Sequence, residues 1–228
     1  MTAFKIAAKW IAILCLPLVL FTGTIALAAN SAWLYQYGFD KYQVNETTGI
    51  TKPELDKAAD GLIHYFNSDE EYINLTVSKD NQPFQLFNER EIDHLKDVKS
   101  LIWLDYRVLL GTLIVVLGYA ISMVSRRDRR QLAWAGIGGG ALTLAIMAFM
   151  GIYALIDFNG LFINFHLLSF TNDLWQLNPA TDYLIMLFPE GFWFDAFLYI
   201  AAFIGVSAVA ILSTGIAYLK RHREDADL

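Results

Sequence analysis

The sequence has one cysteine, Cys15, and it stands inside an apolar run, so a disulfide-stapled secreted domain is excluded. Charge is scarce as well: 18 % of the residues are Asp, Glu, Lys or Arg, against about 25 % in soluble globular domains. Basic residues are the minority, 17 against 23 acidic, and the net charge of −6 argues against a nucleic-acid binder. There is no internal repeat, no low-complexity tract and no Gly-x-Ser-x-Gly or other nucleophile motif. What abounds is apolar: 56 % hydrophobic residues and a mean hydropathy of +0.40, which excludes a disordered chain.

Those apolar residues are gathered into four stretches without charge, Trp10–Ala29, Val108–Ser125, Gln131–Ile156 and Ala196–Leu219. Each is long enough to cross a bilayer as a helix, for which about 18–25 residues suffice at 1.5 Å per residue. Backbone in lipid must satisfy its own hydrogen bonds, so helices are the expectation. The basic residues orient them. Lys5 and Lys9 precede the first stretch, Arg126, Arg127, Arg129 and Arg130 link the second to the third, and Lys220, Arg221 and Arg223 follow the fourth. By the positive-inside rule these face the cytoplasm, and 31–100 and 157–195 lie outside. The second outer segment has no Lys or Arg. The fold class expected is therefore an all-α polytopic membrane protein, four transmembrane helices with a small α(+β) extracytoplasmic subdomain. The order is 1–30 (first transmembrane helix), 31–100 (outer segment), 101–125 (second helix), 126–130 (basic cytoplasmic loop), 131–156 (third helix), 157–195 (outer or interfacial segment), 196–219 (fourth helix) and 220–228 (cytoplasmic tail). Both termini are expected inside.

Ala26-Leu27-Ala28 looks like a signal-peptidase site, but the first stretch is longer than a signal h-region and reads as an uncleaved helix. Leu14 stands before Cys15 where a lipoprotein signal wants a small residue. In segment 31–86, Leu55, Ala58, Leu62 and Tyr65 have helical spacing, with Thr51 and Glu54 as a capping box. Glu71–Val77 alternates loosely and predicts a short strand. No acidic or basic residue lies deep in the first, third or fourth stretch, which weighs against a pump or channel.

Two histidines attract attention. From Asn88 to Lys99 the pattern opens a helix: Asn88 caps, Glu91 completes a capping box, and Ile92, Leu95, Val98 and Ile102 form an apolar face. Arg90, His94 and Asp97 share the neighbouring face. Run on into the second stretch, this helix puts His94 about 10 Å above its outer end. His94 is an acid–base candidate oriented by Asp97 or Glu91, set against a plain surface histidine. Glu91-x-x-His94 is half of a di-metal motif, but no second copy exists and no metal is expected. The other histidine, His166, stands among Phe158, Phe162, Phe165, Phe170 and Trp175. An interfacial aromatic belt accounts for the rings but not for an imidazole among them. Asn172-Asp173 and Asn178-Pro179 mark turns, and Leu184–Phe188 is read as returning the chain to the membrane. His64 and His222 carry no motif.

At these two segments the chain resembles a family of four-span bacterial membrane proteins, the lipoprotein intramolecular transacylases. The resemblance lies in Phe87-Asn88-Glu89-Arg90-Glu91-Ile92-x-His94-x-x-Asp97-Val98-Lys99 and in Phe165-His166, Phe170-x-Asn172-Asp173-x-Trp175-x-Leu177-x-Pro179-x-x-Asp182-x-Leu184-Ile185 and Phe188-Pro189. It implies transfer of the sn-2 acyl chain of a diacylglyceryl-cysteine to the same cysteine's α-amino group, giving a lyso-form lipoprotein. The family's two functional histidines match His94 and His166. Arg90, Asn172, Trp175 or backbone N–H groups are candidates for the oxyanion, and Asp173 or Asp182 for orienting His166. The partners implied are diacylglyceryl-modified lipoproteins and membrane lipid, with no cofactor, no metal, no nucleic acid and a monomeric protein. The competing readings are a non-enzymatic membrane protein that binds lipid or a partner through its outer segments, an acyltransferase drawing on phospholipid, and a metal-dependent hydrolase.

Overall fold

The computed structural model describes residues 3–224, with the backbone alone at 4, 223 and 224. The expected tail residues 225–228 and the side chain of Arg223 therefore lie outside the described residues. Along the described chain the elements are α1 (Ala3–Ala29), α2 (Ala32–Lys41), α3 (Val44–Thr48), α4 (Lys52–Asn67), β1 (Thr76–Lys79), β2 (Gln82–Gln85), α5 (Glu89–Ser125), α6 (Arg129–Ile156), α7 (Phe158–Ser169), α8 (Tyr183–Leu187) and α9 (Glu190–Glu224). Four of them, α1, α5, α6 and α9, are long and apolar enough to cross a bilayer, as expected. The chain is a multi-pass membrane protein. The edges expected at 100/101 and 195/196 fall inside α5 and α9, because each helix starts at its own local signal, the cap at Asn88 and the break at Pro189.

The chain divides into two compact units. One consists of Met1–Ile25, Asp105–Ile156 and Tyr199–Leu228 and holds most of the apolar helical length. Its surface is greasy: Leu110, Ile114, Ile121, Phe149, Leu155 and Val206 are all more than half exposed. Its helices meet through small residues, the usual device where lipid supplies no hydrophobic drive to association. A Cβ on Gly139 would lie 2.6 Å from a methyl of Leu16, and one on Gly140 would lie 3.0 Å from the Ala208 carbonyl oxygen. The glycines of α6 thus let α1 and α9 approach its backbone closely.

The other unit, Ala26–Leu104 and Asp157–Leu198, has a core like that of a soluble domain. Leu55, Ala58, Leu62 and Tyr65 of α4 are buried as their spacing predicts. The capping box expected at its start does not form. Thr51 makes no side-chain cap, and Glu54 Oε2 instead accepts from the Ser78 N–H at 2.7 Å, tying α4 to β1. Burial alternates through Ile73, Leu75 and Val77, but the strand itself runs from Thr76 to Lys79. It pairs antiparallel with β2, Thr76 opposite Gln85 and Lys79 opposite Gln82. The two-residue turn is Asp80-Asn81, both at positive φ (53° and 60°), the conformation a tight hairpin requires and one that Asp and Asn tolerate. Leu184, Leu187 and Phe188, expected to lead back to the membrane, are core residues here: α8 is buried against the same cluster as Tyr35, Phe39 and Phe192.

Candidate active site

The N-terminus of α5 forms as its sequence dictates. The Asn88 N–H donates to Glu91 Oε2 at 2.8 Å, and the Glu91 N–H donates to Asn88 Oδ1 at 3.1 Å, a reciprocal capping box. The other oxygen of Glu91, Oε1, accepts from the Leu184 N–H at 2.6 Å. Both carboxylate oxygens of Glu91 are thus held by backbone donors, one from each histidine-bearing segment. Glu91 is 1 % exposed, and that burial pushes its pKa up against the opposing pull of the two N–H groups.

One turn further along α5, His94 is buried. α7 supplies the partner. Asp157 caps that helix by accepting from the Gly160 N–H at 2.8 Å, and the helix carries no charged residue. Its pattern inverts that of a soluble amphipathic helix. Leu168 (88 % exposed), Leu167, Phe165 and Ile163 point outward, and the one buried side chain is His166. The two imidazoles, 72 positions apart in sequence, lie with ring centroids 6.2 Å apart. Phe170 packs against both, at 5.2 Å from His94 and 5.7 Å from His166. Phe162, Trp175 and Phe165 surround His166 at 4.3, 4.8 and 5.4 Å.

The hydrogen bonds make the two rings different. His166 Nδ1 lies 2.8 Å from the Phe162 carbonyl oxygen. A carbonyl can only accept, so this nitrogen carries the hydrogen, and Nε2 of the neutral ring bears the lone pair. His94 Nδ1, by contrast, is buried without a hydrogen-bond partner among the described residues, as is the indole nitrogen of Trp175. Burial drives both imidazoles toward the neutral form. His94 is pushed down to about 4, first by burial and then by the neighbouring His166, against a weaker pull from Asp97. His166 is also lowered by burial, with the hydrogen bond to Phe162 acting in the other direction.

The remaining motif residues fasten the two segments together. Asn172 Nδ2 donates to Asp97 Oδ2 at 2.8 Å, and the Arg90 guanidinium donates to the Asp173 carbonyl. Asn88 Nδ2 donates to Asp182 Oδ1 at 3.1 Å, and Asp182 also accepts from the Asn178 N–H and the Thr181 hydroxyl. Burial would raise the Asp182 carboxyl, but those three donors outweigh it and hold it low. The side chain of Asp173 accepts from Gln176. His94, His166, Asp97 and Trp175 therefore come together as a cluster. Glu91, Arg90, Asn172, Asp173 and Asp182 reach the same place by bonding the segments to one another, and among the described residues they make no hydrogen bond to an imidazole. Phe170, the ring shared by both histidines, stands in the motif but has no chemistry of its own to mark it in sequence. Among the described residues no group of three or more His, Cys, Asp or Glu is placed to hold a metal ion.

The family model described as "Lipoprotein intramolecular transacylase Lit" matches residues 10–193, which include both histidines and every residue of the cluster. The chain belongs to this family. A curated relative from Aquifex aeolicus (strain VF5), an uncharacterized protein, is 29 % identical over 131 residues, 57 % of this chain and 56 % of that protein. The chain thus spans just over half the length of that relative. The in meso structure of the membrane integral lipoprotein intramolecular transacylase Lit from Bacillus cereus superposes with a TM-score of 0.86 at 21 % identity, covering 98 % of this chain and all of that one. Two structures of the same protein with a histidine replaced by arginine or by alanine give 0.77, each over 97 % of this chain. At this identity the likeness establishes the family's fold: four membrane helices with the small helical and β-hairpin unit.

Proposed function

We propose that the protein is an acyltransferase that moves the sn-2 acyl chain of a diacylglyceryl-cysteine lipoprotein onto the α-amino group of the same cysteine. The observation that carries this reading is the pair of buried, neutral imidazoles 6.2 Å apart in an aromatic enclosure, one of them with its tautomer fixed. Amine and ester belong to one molecule, so the site has to bring them together and manage protons. Holding them in a reactive geometry is worth roughly 7–11 kcal/mol.

The step balances within the substrate. The amine nitrogen attacks the ester carbonyl carbon, an N–C bond forms, and the nitrogen loses a proton. The tetrahedral intermediate collapses, the bond to the sn-2 oxygen breaks, and that oxygen takes a proton to become a hydroxyl. One proton leaves and one arrives, so the pair ends as it began. His166 acts as the base through Nε2, since its Nδ1 is committed to Phe162 and that bond preserves some of its basicity. His94, pushed further from the charged form, stays neutral and holds the glyceryl oxygen by a hydrogen bond, and the proton that His166 took from the amine passes to that oxygen as its bond to the acyl carbon breaks. Both imidazoles come from one chain, so a single copy of the protein carries the whole site. Its site faces the outer leaflet of a bacterial cytoplasmic membrane, where diacylglyceryl-lipoproteins and their acyl chains reside, and both termini face the cytoplasm.

The test is mass spectrometry of lipoprotein N-terminal peptides in cells with and without the protein. Conversion of the diacylglyceryl form to an N-acyl lyso form is the expected result. His94→Ala and His166→Ala each lower that conversion by about 10²–10⁴-fold, the usual weight of an acid–base group. Label passing into the peptide from phospholipid, or activity that survives both substitutions, refutes the reading.

A further inference from the structure

The proton traffic just described leaves one charge without an owner. As the amine adds, the carbonyl π pair moves onto the acyl oxygen, and a site that accelerates this needs a donor aimed where the charge develops. Four kinds of donor are within the motif segments, and two of the side chains, Arg90 and Asn172, are exposed and already tie the segments together. Arg90 donates to the Asp173 carbonyl. Asn172 has its amide N–H on Asp97, and its oxygen accepts from the Leu174 N–H. Both hold the 172–175 turn in shape.

Trp175 differs in kind. Its indole N–H is a donor only, it is buried, and none of the described residues accepts from it. Buried donors are ordinarily paired, and an exception calls for a reason. Its ring lies on His166 at 4.8 Å and 32°, so the indole packs directly on the base's ring. The nearly fully buried His94, facing His166 at 6.2 Å, carries the second unpartnered polar atom, Nδ1. Two unsatisfied nitrogens and one committed imidazole thus share a single aromatic enclosure.

We propose that the indole N–H of Trp175 donates the hydrogen bond that stabilises the acyl oxygen in the transition state of transacylation. The proposal rests on the acyl-transfer reading above. The N–H keeps its proton throughout. The acyl oxygen gains the electron pair when the N–C bond forms and returns it when the bond to the sn-2 oxygen breaks, so the donor is released unchanged with the amide product. Trp175 is then a catalytic residue, and Arg90 and Asn172 are positioning residues that act through the turn it sits on.

The experiment uses the full-length protein in detergent or vesicles, a synthetic diacylglyceryl-cysteine lipopeptide, and product quantified by mass spectrometry. Trp175→Phe keeps a ring against His166 and removes the donor. It is expected to lower kcat on the order of 10²-fold while KM stays within about twofold, the signature of an interaction made in the transition state. Placing benzothienylalanine at position 175, an isostere with sulfur in place of N–H, gives the same fall at an unchanged melting temperature, and it decides the matter if the Phe variant folds poorly. Either folded isostere turning over at the wild-type rate overturns the proposal. Wild-type protein that forms no N-acyl product overturns the underlying reading and this proposal with it, whereas wild-type turnover with indifferent isosteres overturns this proposal alone.

Discussion

The bond between Asn172 and Asp97 offers the sharpest separation of positioning from stability. An amide–carboxylate hydrogen bond is worth about 1.5–3 kcal/mol when well buried. Here the Asn172 side chain is exposed and Asp97 half-buried, so its contribution to stability falls to about 1 kcal/mol. Its contribution to turnover is larger, because Asn172 begins the turn that carries Trp175 onto His166. A displacement of 1 Å at a reacting centre costs about 10²-fold. Asn172→Ala is therefore expected to lower kcat by about 10–10²-fold while the melting temperature drops only slightly. In a cycle with Asp97→Ala the second substitution costs little once the first is made, with a coupling of about 1–2 kcal/mol. The exchange of partners is more demanding still. Asn172→Asp alone sets two carboxylates face to face and is the worst of the series. Adding Asp97→Asn restores an amide–carboxylate bond with the roles reversed and recovers most of the activity. The assay is turnover of the diacylglyceryl lipopeptide beside thermal unfolding. Additive losses, or a double exchange no better than Asn172→Asp, would refute the reasoning.

The buried groups carry three further predictions. Because burial lowers His166 from its ordinary 6.5, the acid limb of kcat has its midpoint below pH 6.5; a midpoint above 7 would mean that another group is titrating. Stability tracks His94 with the same sign: above pH 6.5 both folded and unfolded states hold it neutral, between 6.5 and about 4 only the unfolded state takes the proton, and the unfolding free energy falls by up to about 3 kcal/mol across that window, read from melting curves. Glu91→Ala strips the acceptors from the Asn88 and Leu184 N–H groups and is expected to destabilise by about 2–4 kcal/mol, with Glu91→Gln less damaging because it keeps one acceptor oxygen; urea or thermal unfolding of both variants checks the order.

What could be read in advance depended on whether the governing physics was local. The spans were legible because bilayer thickness fixes their length and water-free surroundings fix their conformation. The start of α5 was legible because Asn88 and Glu91 cap one another across three residues. The same motif failed at Thr51 and Glu54, where a distant backbone donor, Ser78, claims the carboxylate. The hairpin escaped notice because Asp80-Asn81 is a weak turn signal beside Asn-Gly, and its two strands have only four residues each. The acids were harder again. Helical spacing put Asp97 and Glu91 on the same helix as His94, but it holds no information about Asn172 or Leu184, some 75 and 93 positions away. A carboxylate is claimed by whichever donor the fold delivers, and sequence proximity to an imidazole is a poor guide to which one that is.

α7 shows why such a site has to be built at a greasy boundary. A twelve-residue helix without a charge, with Leu168, Leu167 and Phe165 outward and only a histidine buried, would be unstable on a domain bathed in water. Against hydrocarbon the outward side chains cost nothing, and twelve residues at 1.5 Å each are too few to cross, so the helix belongs in the plane of the interface. Under the proposed function, acyl chains would lie along the outward side of α7, with the imidazole on the other. The same dehydration that keeps His166 neutral and able to accept a proton also strengthens every hydrogen bond made to a developing charge within the enclosure. A neutral polar residue introduced on the outer side, Leu168→Gln for instance, would draw water toward that helix, and by this reasoning it would raise the pKa of His166, read as an upward shift of the acid limb of kcat, and weaken catalysis without touching either ring.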